Sequence, residues 1–348
     1  MRNSEINSVE IARLAGVSRS TVSRVINNYS NVPAETREKV MKVIEQYHYV
    51  PNLSAQVLAG KKTRTIGLFM IEAGHVSSDI LSNMLLASII ENASSSGYYV
   101  LTHIIRNTRD EASVRGIKDI FYQRRIDGGI FIGAADGEPM LEELIAEGFI
   151  VGVVDQQPSP ERNEPNRIVV NFDNDYGMTL AVDYLAELNH REIGIVCGDM
   201  ARYSGPSKYE GFLAAMGRRG IPVRQEWVIP GGFHEEDGYE AIRSYLDGGG
   251  RLPTAIVMAN DSVAFGAIRA LRERGLSVPD DVSVVGFDDH ALSARSQPAL
   301  TTVKVDFDGM MSQLTGSVIA RIEGAEPEEE AGKAASSRLI VRDSCKKL

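Results

Sequence analysis

The run from Ser8 to Asn27 places Arg19, Ser20, Ser23 and Arg24 on one face of a short helix, with Thr21 near its start. Guanidinium forks and hydroxyls at that spacing suit the base edges and phosphates of a DNA major groove. Arg19 and Ser20 lie at the exposed helix start and are the expected base readers, with Arg24 third. An arginine there matches the N7 and O6 acceptors of guanine. Thr21, Ser23, Asn27, Asn31 and Thr36 have the small polar side chains of phosphate contacts or helix caps. For Asn27 both readings stand. Ser8 and Val9, which open the preceding helix, complete the expected DNA-facing set.

Two short helices joined by a tight turn must position these groups. Ser8 and Ser18 each precede an apolar-periodic run, so each is expected to cap a helix. Gly16 stands at the corner, where positive φ is cheap only for glycine. Ile11, Leu14 and Val17 can close one side of the corner, and Val22, Val25 and Ile26 can bury the second helix against it. A third helix is expected from about Ala34 to Tyr47, with Pro33 near its start and Pro51 beyond its end. The segment from Asn52 to Gly60 has decent helix formers but is too short to be stable alone. The expected organisation is a DNA-binding headpiece over 1–50, a hinge and linker over 51–64, and a body over 65–348.

Charge supports this division. Residues 1–64 carry 10 Lys and Arg against 5 Asp and Glu, a net of +5; the remainder carries 27 against 42, a net of −15. A small basic end on an acidic body fits a localised contact with phosphates. The two cysteines, Cys197 and Cys345, are far apart and lack metal-ligand spacing, so neither a disulfide framework nor a metal site is expected. No apolar leader or membrane-length run is seen, and a cytoplasmic protein is expected.

From Thr65 onward, apolar strands alternate with amphipathic helices. Strands are expected at 66–70, 98–103, 129–132, 150–154, 168–170, 193–197, 227–229, 255–258 and 282–287, with a last one at 338–341. Helices are expected at 80–95, 111–124, 139–147, 176–188, 208–219, 235–246 and 262–274. Such alternation means parallel sheet covered on both faces. The length favours two similar halves over one large core. Residues 324–337 read as a solvated acidic loop.

The stretches VEIARLAGVSRSTVSRVIN, VPAETREKV and YVPNLSAQVLAGKKTRTIG resemble the headpiece and hinge of the lactose-repressor family of bacterial transcription regulators. The resemblance continues through VDYLAELNHREIGIV, VMANDSVAFGAIRAL, VPDDVSVVGFDD, PALTTV and LIVRDS, nearly the whole chain. It implies an all-α helix-turn-helix headpiece and an α/β body. That body would be two Rossmann-like subdomains of the periplasmic-binding-protein type, joined by three crossings. The crossings are expected near 154–159 and 288–300. It also implies a homodimer on a near-palindromic double-stranded operator, a repressor's role, and a small-molecule effector in the cleft between subdomains. Operator preference would be set at the positions of Arg19 and Ser20. Leu58 stands where the family inserts a leucine into the minor groove, a wedge that kinks DNA; packing on the body is the other reading. Ala55 is small enough for close approach, and Asn52 is placed to touch phosphate.

In the body, Asp288 matches the family's hydroxyl-binding aspartate. Lys208 falls where sugar-responsive members have arginine. This departure replaces a planar fork with a point charge, leaving either an unusual grip or a solvent-facing lysine. Phe172 and Phe233 match aromatic positions that stack on ligand, though phenylalanine serves equally as core. Asn260 has a donor and an acceptor for hydroxyls, while Asp261 reads as the cap of the next helix. Asp155, at a strand end, and Asp79 are further candidate ligand acids; His75 has no assignable role. The set suits a sugar or sugar derivative; a nucleobase, a nucleoside or a protein corepressor is the alternative. No catalytic constellation, cofactor loop or GxGxxG follows the first strand, so neither an enzyme nor a cofactor is expected.

The charge partition leads to a first expectation. DNA affinity should fall about linearly in log units with log salt, despite the acidic whole, because phosphate contacts release counterions. Titrations between low and physiological ionic strength check this, and a flat response contradicts it.

Overall fold

The computed structural model describes residues 6–50, 60–71, 80–157, 164–325 and 337–348. The chain divides into two compact units, Met1–Thr63 and Arg64–Leu348.

In the first unit, α1 (Ser8–Ala15), α2 (Arg19–Ile26) and α3 (Ala34–Gln46) surround Ile11, Ala12, Val22, Val25, Val32 and Val40. Ser18 caps α2 by accepting from the Thr21 amide at 3.1 Å. Ser8 does not cap α1. Asn7 does so, its side-chain Oδ1 accepting from the Val9 and Glu10 amides at 2.9 and 3.1 Å. Asn and Ser are equally good caps, so two adjacent candidates left the choice to the backbone. Gly16 ends α1 at φ +66° and turns the chain toward α2.

The second unit holds two sheets. The first has five strands, β1 (Thr65–Ile71), β2 (Tyr99–Ile105), β3 (Gly128–Ile132), β4 (Val151–Val154) and β5 (Arg167–Val170), ordered β2-β1-β3-β4-β5 and all parallel. The second has six, β6 (Ile193–Val196), β7 (Val228–Ile229), β8 (Ala255–Met258), β9 (Ser283–Asp288), β10 (Thr301–Val305) and β11 (Ser337–Ile340). Their order is β11-β10-β9-β8-β6-β7, with only β11 antiparallel. The helices are α4 (Ile80–Ser95), α5 (Glu111–Tyr122), α6 (Pro139–Ala146), α7 (Asn174–Glu187), α8 (Ser204–Arg218), α9 (Glu235–Asp247), α10 (Asp261–Glu273) and α11 (Phe307–Ile322).

Two expectations about connectivity need correction. The stretch 154–159 does not change sheets, because β5 pairs with β4 in parallel register, Val154 opposite Val170. The chain leaves the first sheet only after β5, and α7 packs on the second sheet. Likewise 288–300 joins β9 to β10, which are neighbours in one sheet. The chain then crosses at Asp306, since α11 packs on α4 and on β3, β4 and β5. It returns between Ala325 and Ser337, largely outside the described residues. Polar, proline-containing stretches signal a loop, but they do not say which sheet receives the next strand. β10 and α11 were not anticipated. α11 buries Phe307, Met310, Met311, Leu314, Thr315, Val318 and Ile322 along one stripe, but its exposed face, with Gly309, Ser312, Gly316 and Ala320, is small rather than charged, so the amphipathic contrast is weak.

His190 is fully buried, its ring nitrogens 2.9 Å from Thr254 Oγ1 and 3.0 Å from the Lys346 carbonyl. Burial lowers its pKa from the ordinary 6.5. The unfolded chain therefore takes up this proton first as pH falls. The contribution of His190 is complete above about 6.5, the unfolded value, and is lost as pH drops toward and through the folded one. Buried carboxylates titrate nearby with the opposite sign, so the test is a difference. Urea unfolding of wild type and His190→Gln between pH 5 and 8 should show a steeper acid loss in wild type; parallel curves contradict it.

Candidate functional site

The first unit presents α2 as a polar ridge. Val22 and Val25 face its core, while Arg19, Ser20, Ser23 and Arg24 are exposed. Arg19 Nε donates to Ser8 Oγ at 3.1 Å, so the serine expected to cap α1 instead holds the guanidinium of the expected base reader. Val9 is exposed beside it. Thr21 is half-buried, its hydroxyl 2.9 Å from that of Ser18. Asn27 closes α2 at its C-cap, its side-chain amide donating to Ser23 Oγ at 3.3 Å. Asn31 is exposed and Thr36 half-buried in the first turn of α3.

A residue not singled out in the sequence, Arg37 of α3, fixes the end of this ridge. It donates to the Val25 carbonyl (3.3 Å), Asn28 Oδ1 (3.0 Å) and the Tyr29 carbonyl (2.7 Å). Asn52, Ala55 and Leu58 lie outside the described residues, as do His75 and Asp79.

In the second unit a cavity of about 570 Å³ opens where strands of both sheets end. Crevices at the carboxyl ends of parallel strands are the usual ligand sites of such sheets. From the first sheet come Met70, Ile71, Ile132, Val154 and Asp155, together with Leu81 and Leu85 of α4. From the second come Arg202, Ser204, Lys208, Phe233, Asp288 and His290. Phe172 and Phe307 sit at the crossings, edge to face with centroids 5.6 Å apart.

Asp155 joins the two halves. Ser204 Oγ, at the start of α8, donates to its Oδ2 at 2.6 Å. Its Oδ1 is buried without a hydrogen-bond partner among the described residues. Burial raises the pKa of this carboxyl, against the opposing pull of Ser204, Lys208 and Arg202. The backbone at Asp155 is left-handed at φ +64°, and at Asp288 φ is +113°. Such conformations cost on the order of 1–3 kcal/mol each and persist where the surroundings over-determine them. A second contact between the halves runs from the Asp136 amide to the Ala201 carbonyl at 3.2 Å.

Lys208 is only 4% exposed, which removes the solvent-facing reading. Its Nζ donates to the Ala259 carbonyl at 2.7 Å and lies 3.9 Å from the Phe287 ring centroid. Burial lowers the ammonium pKa, and Asp288, Asp155 and Asp261 pull it back. Lys208 is thus buried, its amine held by a backbone carbonyl, with the charges of Asp288, Asp155 and Asp261 opposing the cost of burying its own.

Asn260 is not on the cavity wall. Its Oδ1 caps α10 by accepting from Val263 N at 2.8 Å, and its Nδ2 donates to the Phe233 carbonyl at 2.9 Å. The expected hydroxyl binder is spent within the protein. Asp261, expected as the cap, is instead fully buried beneath the loop after Asp288. Arg202, Ser204, His290 and Phe307 were missed. Arg202 and His290 sit on irregular loops without periodicity, and Phe307 opens an unanticipated helix.

Residues 9–52 match the bacterial regulatory proteins of the lacI family, and residues 182–345 match the periplasmic binding protein-like domain. The chain is 31% identical over 347 residues to the HTH-type transcriptional repressor PurR of Haemophilus influenzae, covering 97% of this chain and 98% of that protein. The chain belongs to the lacI family. The lac repressor dimer bound to operator and the anti-inducer ONPF superposes with a TM-score of 0.78 at 28% identity, over 98% of this chain and 99% of that one. The complex of the transcriptional regulator CelR with cellobiose gives 0.73 at 26% identity, over 97% and 99%. This lacI-family protein is a DNA-binding transcription regulator of the repressor class, with a headpiece and a two-subdomain α/β body. Among the described residues no helix is long and apolar enough to cross a membrane.

The ridge on α2 sets the third expectation. Arg19→Ala should relax base preference at one position of each half-site and cost about 1–3 kcal/mol on the best operator. Binding to a library of half-site variants reads this directly. An equal loss on every sequence would make Arg19 a phosphate contact.

Proposed function

We propose that the protein is a homodimeric repressor whose operator affinity is set by a sugar or sugar derivative bound in the cleft. The observation that carries the reading is the cavity's composition. Asp155 and Asp288 offer acceptors for hydroxyls, Arg202 offers donors, and Phe172, Phe233 and Phe307 offer ring faces. The lining sets Arg202, Lys208 and Arg269 against Asp155, Asp288, Glu235 and Glu236, so its formal charges nearly cancel before any ligand arrives. A neutral polyhydroxylated ligand suits such a wall better than an anion.

Each headpiece would read one half of a near-palindromic operator, as symmetric dimers do. The segment 51–64 would pair with its partner on the minor groove, with Leu58 as the wedge. Because both subdomains line the cavity, a ligand there changes the free energy of one subdomain angle relative to another. That coupling typically amounts to about 1–3 kcal/mol between ligand and operator. The reading is of a cytoplasmic binding protein, not a catalyst, in keeping with a family of transcription regulators. The relatives named PurR and the aromatic walls keep a nucleobase or nucleoside as the second reading.

A thermal-shift screen of the full chain against sugars, sugar derivatives, nucleobases and nucleosides, followed by calorimetry, tests the effector class. Asp288→Ala should abolish the effector response and leave operator binding intact, since a buried hydroxyl site loses its partner. If Asp288→Ala binds the effector as tightly as wild type, the cleft assignment fails. If only nucleobases or nucleosides bind wild type, the second reading replaces the first.

A further inference from the structure

Asp288 is the first of two consecutive non-glycine residues with positive φ, +113° and then +57° at Asp289. L-residues rarely adopt this backbone twice in succession, so something outside the loop must hold it. Two groups do so from opposite sides. On one side is Asp261, the first residue of α10 and fully buried. Its Oδ2 accepts from the His290 amide at 2.7 Å and from Ser293 Oγ at 2.5 Å; its Oδ1 accepts from Thr302 Oγ1 at 2.5 Å. β9 makes room for it at Gly286, where a Cβ would lie 2.1 Å from Asp261 Oδ1. Burial pushes this carboxyl up to about 6 despite its donors.

On the other side is Arg342, just past β11. Its Nη2 donates to Asp289 Oδ1 at 2.6 Å and its Nη1 to the Leu300 carbonyl at 2.8 Å. Lys304 Nζ adds a contact to Asp289 Oδ2 at 3.3 Å. Asp289 is therefore clamped at both oxygens, and the loop from His290 to Ser293 hangs on Asp261. Asp288, His290 and Leu292 of this segment line the cavity, whereas Asp261 and Arg342 do not.

We propose that Asp261 and Arg342 are positioning residues for effector binding, fixing Asp288 and the His290–Leu292 wall in ligand-ready geometry without touching the ligand. The proposal rests on the cleft being the effector site, but its decisive measurement needs no ligand. A charge-assisted network with every acceptor filled specifies one arrangement, and a missing member leaves the remaining donors to reorganise. Asparagine at 261 keeps a carbonyl for His290 and Ser293 and offers an amide to Thr302, whose hydroxyl can turn to accept it. Alanine keeps none of these bonds.

Hydrogen exchange by mass spectrometry on the full-length, ligand-free protein tests this. In Asp261→Ala and in Arg342→Ala, amides 289–296 should exchange at least ten-fold faster, with amides 262–273 of α10 unchanged. Asp261→Asn should stay near wild type. Calorimetry with cellobiose, D-ribose and hypoxanthine follows. Any of these that binds wild type should bind both alanine variants at least ten-fold more weakly, while operator affinity without ligand stays at the wild-type value. Arg342→Ala removes a side chain near the surface, so it keeps the test open if Asp261→Ala does not fold. Unchanged loop exchange in Arg342→Ala overturns the proposal, as does faster exchange spread equally over α10. If none of the three probes binds wild type, the effector reading loses support, and the exchange result alone still decides the positioning role.

Discussion

The hydrogen bond from Ser204 to Asp155 is the point at which the two halves of the body become one site. One partner ends a strand of the first sheet, and the other begins a helix on the second. Parallel strands deliver their last residues to a common edge, so Asp155 and Asp288 arrive at the same crevice from different sheets. Neither carboxylate is placed cheaply, since both sit on left-handed backbone. The unpaired Oδ1 of Asp155 is the buried acceptor that a ligand donor or a proton would satisfy. A site whose polar groups are shared between two bodies ties ligand occupancy to their relative angle.

Electrostatics narrows what such a site accepts. In related regulators an arginine is expected at the place of Lys208, where a fork reaches ligand. Here the ammonium lies over Phe287 and donates to a backbone carbonyl. Its charge offsets the nearby carboxylates, which in turn preserve it against burial. Two further cations line the cavity: Arg202, paired with Asp199 at 3.6 Å, and Arg269, paired with Glu235 and Glu236 at 3.1 and 2.6 Å.

Much of this was legible in the residues, and the failures have physical causes. The helix-turn-helix could be read because its apolar spacing, caps and polar ridge agree with one another. The alternation from Thr65 onward gave ten strand positions that the structure occupies to within a residue or two. Sheet membership was not legible, because a loop's composition carries no information about its destination. α11 was hidden by its outer face, where Gly309, Ser312, Gly316 and Ala320 are small residues that give little polar contrast to the buried stripe. The neighbours Asn260 and Asp261 exchanged roles for a related reason. Either side chain can cap α10, and only the approach of Gly286 and the His290 loop draws the aspartate inward. Lys208 marked itself by departing from the resemblance, but its burial could be seen only once Phe287 and Ala259 were in place.

The central claim is that the cleft and the operator are coupled through one two-state body. Coupling in binding free energy is reciprocal. The direct measurement is the affinity of the screened effector for the full-length protein, by calorimetry, with and without saturating operator DNA. The effector affinity should change by the same factor by which the effector changes operator affinity. An effector that binds equally well to the free and the operator-bound protein would contradict the account.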